Sequence, residues 1–295
     1  MHRVAHSQEN SMSPIRIPAI TQKQVVAYLK PRPKDSHKGL FGTVTIIGGD
    51  TGMVGAALLA GRAALKLGAG CVHVGLLAEH APGIDMRMPE LMLHSASAAL
   101  KSSKPDVLVV GCGLGHGLAA QKLLYDALLL DVPLVLDADA LNIIALRPDL
   151  RGILHSRKAP AVFTPHPGEA ARLLGCSSEE IQADRPAAAL ALAKKLHGSV
   201  VLKGAGSLCA TRDGKLHLNQ TGNPGMSSAG MGDVLSGMTA AFIAQGLSTD
   251  EALLLGVHLH GAAGDALAQQ QATIGMSATE VTEWARWLLN QWLAK

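Results

Sequence analysis

The chain alternates short apolar runs with longer amphipathic stretches from about residue 43 to about residue 203. Each apolar run is rich in Val, Ile and Leu and ends at a turn signal, which indicates a short strand buried on both faces. The stretches between the runs repeat their apolar residues at helical spacing. Strands that alternate with helices in this way predict a parallel sheet covered by helices on both sides. The predicted strands are TVTIIGG, CVHVGLL, DVLVVGCGLG, VPLVLDADALN, APAVF and SVVLKG.

The pattern changes after the last of these strands. Two short strands flank Asp213–Gly214, a dipeptide that favours a tight hairpin. The remainder of the chain is predicted to be helical. One helix covers DVLSGMTAAFIAQG, a second follows Ser248, and a third begins at a capping box formed by Ser277 and Glu280.

Composition limits the partners of this chain. It is 48% hydrophobic and 17% charged, which is enough apolar content for one sizeable core. Aromatic residues make up only 3% and the net charge is +3, so the basic, aromatic surface typical of nucleic-acid binding is not expected. Charged residues such as Arg62 and Lys66 interrupt the longest apolar segments, so no membrane span is predicted.

The chain is predicted to form one domain in the cytoplasm. Residues 1–20 begin with MHRVAHSQENSM, which lacks an apolar signal core, and we interpret them as a flexible N-terminal tail. No linker, internal repeat or charge run divides residues 21–295, which predicts a single domain. The four cysteines are Cys71, Cys112, Cys176 and Cys209. Because they form no C-x-x-C pair, we expect free thiols in a reducing compartment.

Four predicted strands end in glycine, aspartate or lysine. These ends are Gly48, Gly49 and Asp50; Gly111, Gly113 and Gly115; Asp137 and Asp139; and Lys203, Gly204 and Gly206. Ligands of open parallel sheets bind beyond the carboxyl ends of the strands, so this recurrence predicts one cleft along that edge. Neither common nucleotide motif fits, since His116 takes the third glycine position of G-x-G-x-x-G and no G-x-x-x-x-G-K-[ST] occurs.

The segment NPGMSSAGMGDVLSGM joins a loop of small residues to a helix predicted to begin near Gly232. Small residues let backbone N–H groups converge, and a helix N-terminus adds positive potential, so the segment predicts an anion site. Asp233 lies in the first turn of that helix. Local sequence leaves two interpretations of Asp233 open. It complements the helix dipole, or it is the base that removes a proton from a hydroxyl attacking a phosphoryl group.

Other strand ends carry candidate chemistry with alternatives that also stay open. His166 lies between two prolines and is either an exposed, oriented imidazole or a turn residue before a helix-capping acid, Glu169. Lys203 neutralises a nucleotide phosphate or closes the sheet edge. Asp137 and Asp139 hold a divalent cation through water or begin a helix.

Two histidines lie in the predicted helix after Ser248. His258 and His260 are two residues apart, so they face different sides of that helix. We therefore expect both to be packing residues and not a metal-binding pair.

Taken in order, these segments resemble a known family. The set is HKGLFGTVTIIGG, GAALLAGRAALKLGAG, VVGCGLG, VLDADALN, TPHPGEAARLLG, VVLKGAGS and NPGMSSAGMGDVLSG, from about His37 to Leu267. Each piece is weak alone, whereas the ordered set closely resembles the ADP-dependent NAD(P)H-hydrate dehydratases of the ribokinase-like superfamily. The resemblance implies an α/β fold, a ribokinase-like three-layer α/β/α sandwich with a mostly parallel central sheet.

The resemblance also implies a repair reaction on nicotinamide nucleotides. The substrate would be the S epimer of NADHX or NADPHX, in which water has added across the nicotinamide ring. ADP, or ATP in some members, would phosphorylate the ring hydroxyl, and loss of phosphate would restore NAD(P)H. Members use Mg²⁺ and commonly assemble as homotetramers, so the resemblance implies both here, without indicating the metal ligands.

The site residues follow from the matching motifs. Asp233 would be the catalytic base. The hydrated dinucleotide would contact Ala56, Gly113, His166 and Asp233. An anion hole would form from the N–H groups of Ala229, Gly230, Met231 and Gly232. ADP would bind along Lys203, Gly204, Ala205, Gly206, Ser207 and Gly232. Transfer to a weak nucleophile needs alignment, a screened phosphate and one base, and this set supplies all three.

Two other functions stay open beside the dehydratase. A small-molecule kinase of the same superfamily, acting on a vitamin or sugar alcohol, would share the anion hole and Asp233. A nucleotide-binding protein without activity would keep the fold, although an intact Asp233 argues against it. The segments TPHPGE and HKGLFG favour the dehydratase. Larger bacterial members carry an N-terminal epimerase domain, and about 40 residues are too few for one here, so we expect epimerisation by a separate epimerase or without a catalyst.

Overall fold

The structure, a computed structural model, describes residues 17–271 and 273–294. Within this part of the chain the strands are β1 (Thr43–Gly48), β2 (Cys71–Leu76), β3 (Met92–Ser95), β4 (Val107–Val110), β5 (Leu134–Leu136), β6 (Ala161–Phe163), β7 (Ser199–Leu202), β8 (Leu208–Ala210) and β9 (Leu216–Leu218). They form one sheet in the order β3-β2-β1-β4-β5-β6-β7-β8-β9. Strands β1 to β7 are parallel, and β8 and β9 join antiparallel at one edge.

Helices occupy the connections between the strands and the C-terminal part of the chain. They are α1 (Gln22–Val26), α2 (Val54–Lys66), α3 (Ala96–Ser102), α4 (Leu118–Leu128), α5 (Ala138–Leu146), α6 (Pro148–Ser156), α7 (Pro167–Leu174), α8 (Ser178–Ala183), α9 (Arg185–Leu196), α10 (Met231–Ala244), α11 (Thr249–Gln270) and α12 (Ala278–Leu293). Short 3₁₀-helices cover Lys38–Phe41 and Pro224–Met226.

Each face of the sheet carries its own hydrophobic core. Side chains of a strand alternate between the faces, so neighbouring residues of β1 enter different cores. Ile46 packs with buried residues of α2, α10, α11 and α12. Ile47 packs with buried residues of α3 to α9 on the other face. The predicted three-layer α/β/α sandwich with a mostly parallel sheet is therefore confirmed.

Helices α2 and α10 approach each other closely at a glycine. A Cβ built on Gly237 would lie 2.0 Å from the carbonyl oxygen of Ala60, so only glycine fits there. The contact brings α10 against the sheet beside β4 and β5. As a result, the N-terminus of α10 lies at the edge where the parallel strands end.

The predicted hairpin at Asp213–Gly214 is confirmed. Strands β8 and β9 pair antiparallel with Leu208 opposite Leu218. The backbone N–H of Thr211 donates to the carbonyl of Lys215 across the turn, at 2.9 Å.

The predicted boundary of the N-terminal tail at residue 20 is corrected by contacts with β9. Ala19 forms a bridge with Leu218, and the N–H of Ile20 donates to the Leu218 carbonyl at 2.9 Å. The Ile20 side chain is buried, so these residues belong to the folded part of the chain. Residues 1–16 of the predicted tail lie outside the described residues.

Two further predictions concern the whole chain. All four cysteines are free, as expected from their spacing. Among residues 17–271 and 273–294, none of the helices combines the length and apolarity that a bilayer crossing requires.

Candidate functional site

The loop before α10 is fixed by hydrogen bonds to two distant segments. Asn223 Nδ2 donates to Asp265 Oδ1 of α11 at 3.0 Å, and the other carboxylate oxygen accepts the Gly222 N–H at 2.8 Å. Asn223 Oδ1 also accepts the Gly225 N–H at 3.0 Å and begins the short 3₁₀-helix. Farther along, Ser228 Oγ donates to the Met276 carbonyl at 2.9 Å. A loop of small residues is thereby held in one conformation.

Helix α10 begins at Met231, one residue before the predicted start. Its N-cap is Gly230, whose φ of +89° is a left-handed conformation that favours glycine. A Cβ at Gly230 would also lie 2.5 Å from Leu59 Cδ1. The first amides of a helix have no partner within the helix, so those of Met231 and Gly232 are suited to an anion.

Asp233, in the first turn of α10, lies in a cluster of ionisable side chains. One ligand atom each of Cys112, Asp137 and Asp233 lie within 4.8 Å of one another. Burial, together with the negative charges of Asp137 and Asp139, raises the pKa of Asp233 to about 6, although the Cys112 thiol and Lys203 oppose this shift. A carboxyl with such a pKa is half protonated near pH 6, which suits proton transfer near neutral pH.

Lys203 is paired with Asp137 beside this cluster. Lys203 Nζ donates to Asp137 Oδ1 at 3.0 Å and lies 3.9 Å from Glu169 Oε2. Ser236 Oγ, three residues after Asp233 on α10, donates to Asp137 Oδ2 at 2.8 Å. Burial opposes ionisation of Asp137, but the charge of Lys203 and these hydrogen bonds hold the pKa of Asp137 below its usual value. Asp137 and Lys203 therefore form a hydrogen-bonded ion pair in which the carboxylate is buried and the lysine side chain is 22% exposed.

Asp137 and Asp139 do begin a helix, which is one of the two alternatives considered for them. Asp137 is the N-cap of α5, where its Oδ1 accepts the Ala138 N–H at 2.8 Å. Asp139 Oδ2 accepts the Gly115 N–H at 2.8 Å, and its Oδ1 lies 3.4 Å from His116 Nε2. Both carboxylates therefore order the turns at the carboxyl ends of β4 and β5.

His166 combines the two alternatives considered for it. It is the N-cap of α7, and its Nδ1 accepts the Gly168 N–H at 3.0 Å. Glu169 Oε2 accepts the backbone N–H of His166 at 2.8 Å, which completes a capping box. The imidazole is nevertheless half exposed. Burial, and then the nearby charge of Lys203, lower the pKa of His166, so a neutral imidazole is favoured.

Ala56 and Gly113 are neighbours at the same edge of the sheet. A Cβ built on Gly113 would lie 3.1 Å from Ala56 Cβ and 2.7 Å from Met53 Cβ, so the two backbones meet closely. Gly113 directly follows Cys112, a member of the Asp233 cluster.

A cavity of about 510 Å³ opens between the turn after β7 and the loop before α10. The predicted nucleotide residues that line it are Lys203, Gly204, Ala205, Gly206, Ser207 and Gly232. Met231 of the predicted anion hole also lines it. Ala56, Gly113, His166, Ala229, Gly230 and Asp233 are not among its lining residues. The structure thus separates a nucleotide-sized cavity from a neighbouring cluster around Asp233.

Sequence reasoning predicted part of the other wall of this cavity, the residues that lie within NPGMSSAGMGDVLSGM, and missed the rest. That wall comprises Asn219, Gln220, Thr221, Gly222, Asn223, Pro224, Met226, Ser227, Leu235, Val257, His260 and Gly261. The helical spacing of Val257, His260 and Gly261 was the available signal, since residues three and four apart share a face. His258 does pack as predicted, with its ring 6.0 Å from that of Trp292. His260 instead borders the cavity.

Comparison with known proteins adds family evidence to this geometry. A family model described as NAD(P)H-hydrate dehydratase matches residues 44–286. An ADP-dependent (S)-NAD(P)H-hydrate dehydratase of Neisseria meningitidis is 42% identical over 266 residues, which cover 89% of this chain and 90% of the relative. Against the bifunctional NAD(P)H-hydrate repair enzymes that it also matches, the chain spans about half of the relative's length.

Solved structures agree with the sequence comparison. An ADP/ATP-dependent NAD(P)H-hydrate dehydratase of Bacillus subtilis, co-crystallised with ATP and Mg²⁺, aligns with a TM-score of 0.83 and 29% identity, over 94% of this chain and 99% of that one. A ribokinase-like superfamily protein of Enterococcus faecalis aligns with a TM-score of 0.82 and 27% identity, over 96% of this chain and 99% of that one. The fold is thus ribokinase-like, and the chain belongs to the NAD(P)H-hydrate dehydratase family.

Proposed function

We propose that this protein catalyses the ADP-dependent dehydration of the S epimer of NADHX or NADPHX to NAD(P)H, with release of AMP and phosphate. The observation that carries the proposal is the position of Asp233. Its carboxylate, with a pKa raised to about 6, lies in the first turn of α10. The two residues before it, Met231 and Gly232, border a cavity large enough for a nucleotide. Family membership supports the dehydratase over a kinase for vitamin or sugar alcohols.

Asp233 would start the reaction as a base. It would accept the proton of the ring hydroxyl while that oxygen attacks the terminal phosphorus of ADP, and AMP would leave. The C–O bond of the phosphorylated ring would then break. Phosphate would depart, and loss of a ring proton would restore the double bond.

The N–H groups of Ala229 to Gly232 would hold the transferring phosphoryl group. The left-handed conformation of Gly230 and the helix N-terminus behind it support this role, because the first amides of a helix have no partner within the helix and favour an anion. ADP would lie in the 510 Å³ cavity along Lys203 to Ser207. The hydrated dinucleotide would contact Ala56, Gly113 and His166 on the other side of Asp233.

The carboxylate of Asp137, beside Asp233, fits Mg²⁺ in the manner usual for nucleotide enzymes. Mg²⁺ is commonly bound by one or two carboxylates together with substrate phosphates and water. Asp137 would hold the ion through water, which leaves Asp233 free to act as the base, whereas the Cys112 thiol is a soft ligand that Mg²⁺ does not favour. Bound Mg²⁺ would neutralise part of the charge on the phosphates.

The wider setting follows from the same proposal. The protein would act in the cytoplasm, where its four free cysteines stay reduced. A separate epimerase would convert the R epimer to the substrate. We expect assembly as a homo-oligomer, a tetramer, with no nucleic-acid or membrane partner.

Regeneration of reduced nicotinamide tests the proposed function. Purified protein with ADP and Mg²⁺ should restore the absorbance of NADH from the S epimer of NADHX, and AMP and phosphate should accumulate together. The R epimer, added alone, should react only as fast as it epimerises. Failure to restore NADH, with turnover of hydroxyethylthiazole or another vitamin alcohol, would replace the proposal by the kinase alternative.

The pKa of Asp233 predicts the acid side of the pH profile. Because burial first, and then Asp137 and Asp139, raise this pKa, the carboxylate is present above about pH 6 and is lost as the pH falls through that value. We expect kcat/KM for the hydrate to fall about tenfold per pH unit below about pH 6. A profile that stays flat down to about pH 4, the usual pKa of Asp, would contradict this assignment.

A further inference from the structure

Arg185 binds the turn that follows β7 through its backbone carbonyls. This residue opens α9, and its Nη1 donates to the Ala205 carbonyl at 2.6 Å. Its Nη2 lies 3.3 Å from the Leu202 carbonyl oxygen and 3.5 Å from that of Lys203. Among the described residues Arg185 forms no ion pair with a carboxylate. The guanidinium charge is therefore directed at the carbonyl oxygens of one turn.

These contacts fix the direction of the peptide groups in that turn. In a planar trans peptide the carbonyl and the following N–H point in opposite directions. The carbonyls of Lys203 and Ala205 face Arg185, so the N–H groups of Gly204 and Gly206 face away from it. The neighbouring peptide follows the same rule, because the Leu202 carbonyl faces Arg185 while the Lys203 N–H donates to the Pro165 carbonyl at 2.9 Å.

The two glycines have conformations that this arrangement requires. Gly204 has φ of +145° and Gly206 has φ of +65°. A Cβ built on Gly204 would lie 3.0 Å from Arg185 Nη2, so the guanidinium rests directly against the backbone. Both glycines line the 510 Å³ cavity. Within the described part of the chain, neither amide donates a hydrogen bond.

We propose that Arg185 is a positioning residue for nucleotide binding, which holds the turn so that the Gly204 and Gly206 amides point at the phosphates of ADP. The inference rests on the proposed function for the identity of the nucleotide. Arginine suits the role because its planar fork reaches several carbonyls at once, whereas a lysine ammonium is a single point charge. Arg185 is not among the residues that line the cavity, so its effect on the nucleotide would pass through the turn.

A second arginine provides a matched control. Arg157 donates through Nη1 to the carbonyls of Leu128 and Leu130 and through Nη2 to that of Val132, the latter at 2.6 Å. Arg157 and Arg185 both have a buried Nε without a hydrogen-bond partner among the described residues. Burial lowers the pKa of both guanidinium groups. Arg157, however, binds the turn before β5 and does not line the cavity.

The test compares Arg185→Ala, Arg185→Lys and Arg157→Ala with the wild type. Calorimetric titration with ADP should give a Kd about tenfold or more higher for Arg185→Ala, since charge-assisted hydrogen bonds are lost from the turn. Guanidinium chloride well below denaturing concentration should restore much of the lost affinity, because it can occupy the vacated space. Arg185→Lys should fall between the two. Arg157→Ala should lower the Tm and leave the Kd for ADP unchanged.

Several outcomes would overturn the inference. A Kd for ADP near the wild-type value in Arg185→Ala, an equal loss in Arg157→Ala, or no response to guanidinium would each do so. If Arg185→Ala does not fold, wild-type affinity in Arg185→Lys has the same consequence. The proposed function is tested separately: a wild type that binds ADP without restoring NADH removes that function, while the Kd values still decide the role of Arg185.

Discussion

Replacing Asp233 by asparagine should lower kcat by about 100-fold or more, because the amide cannot accept the proton of the attacking hydroxyl. The substitution keeps the size of the side chain, so we expect the Kd for ADP to stay within about twofold of wild type. Calorimetric titration and single-turnover measurement of NADH formation separate these two effects. The acid limb of the pH profile should also disappear in this variant.

The helix-dipole interpretation of Asp233 makes a different prediction. If Asp233 only complements the dipole of α10, its replacement by asparagine should lower the free energy of unfolding by about 0.5 kcal/mol and leave kcat unchanged. A matched control is Asp250, in the first turn of α11, which accepts hydrogen bonds from Ser199 Oγ and the Arg212 N–H. Asp250→Asn should lower the Tm and leave kcat intact. Equal activity in Asp233→Asn would return Asp233 to the dipole role.

Lys203→Met should affect both stability and activity. It leaves the buried Asp137 carboxylate without its cation, and an unpaired buried charge costs about 3 kcal/mol in the free energy of unfolding. The variant should also bind ADP weakly, because Lys203 lines the nucleotide cavity. Chemical denaturation measures the first effect and calorimetric titration the second.

Two further variants separate the causes of these losses. The double variant Lys203→Met with Asp137→Asn should recover part of the stability, since no buried charge is left unpaired, and little of the ADP affinity. Lys122→Met removes the exposed Lys122–Asp126 pair and should change stability by less than about 0.5 kcal/mol. Wild-type stability in Lys203→Met would show that Asp137 does not depend on Lys203.

Local patterns were sufficient to predict much of this molecule. The β-strand runs ending in glycine or aspartate predicted the edge where the site lies, and the start of α10 was predicted within one residue. These features depend on neighbours in the sequence: burial of short apolar runs, small residues in a turn and the free amides of a helix start. The same local logic predicted the hairpin at Asp213–Gly214.

Contacts between distant residues were not available from such patterns. Asp137 and Lys203 are 66 residues apart in sequence, and they meet because β5, β6 and β7 are consecutive neighbours in the sheet. Arg185 was not among the predicted site residues, since nothing local indicates that it binds carbonyls of a turn after β7. The cavity wall from Asn219 to Gly222 was missed for a related reason, because its residues carry no distinctive chemistry.

The fate of the ring hydroxyl oxygen tests the central claim most directly. The S epimer of NADHX, labelled with heavy oxygen in that hydroxyl, would be converted with unlabelled ADP, and phosphate and water would be analysed by mass spectrometry. If Asp233 activates the hydroxyl for phosphoryl transfer, the label leaves in inorganic phosphate, in equal amount with AMP and NADH. Label released into water, or NADH formed without AMP, would contradict the account.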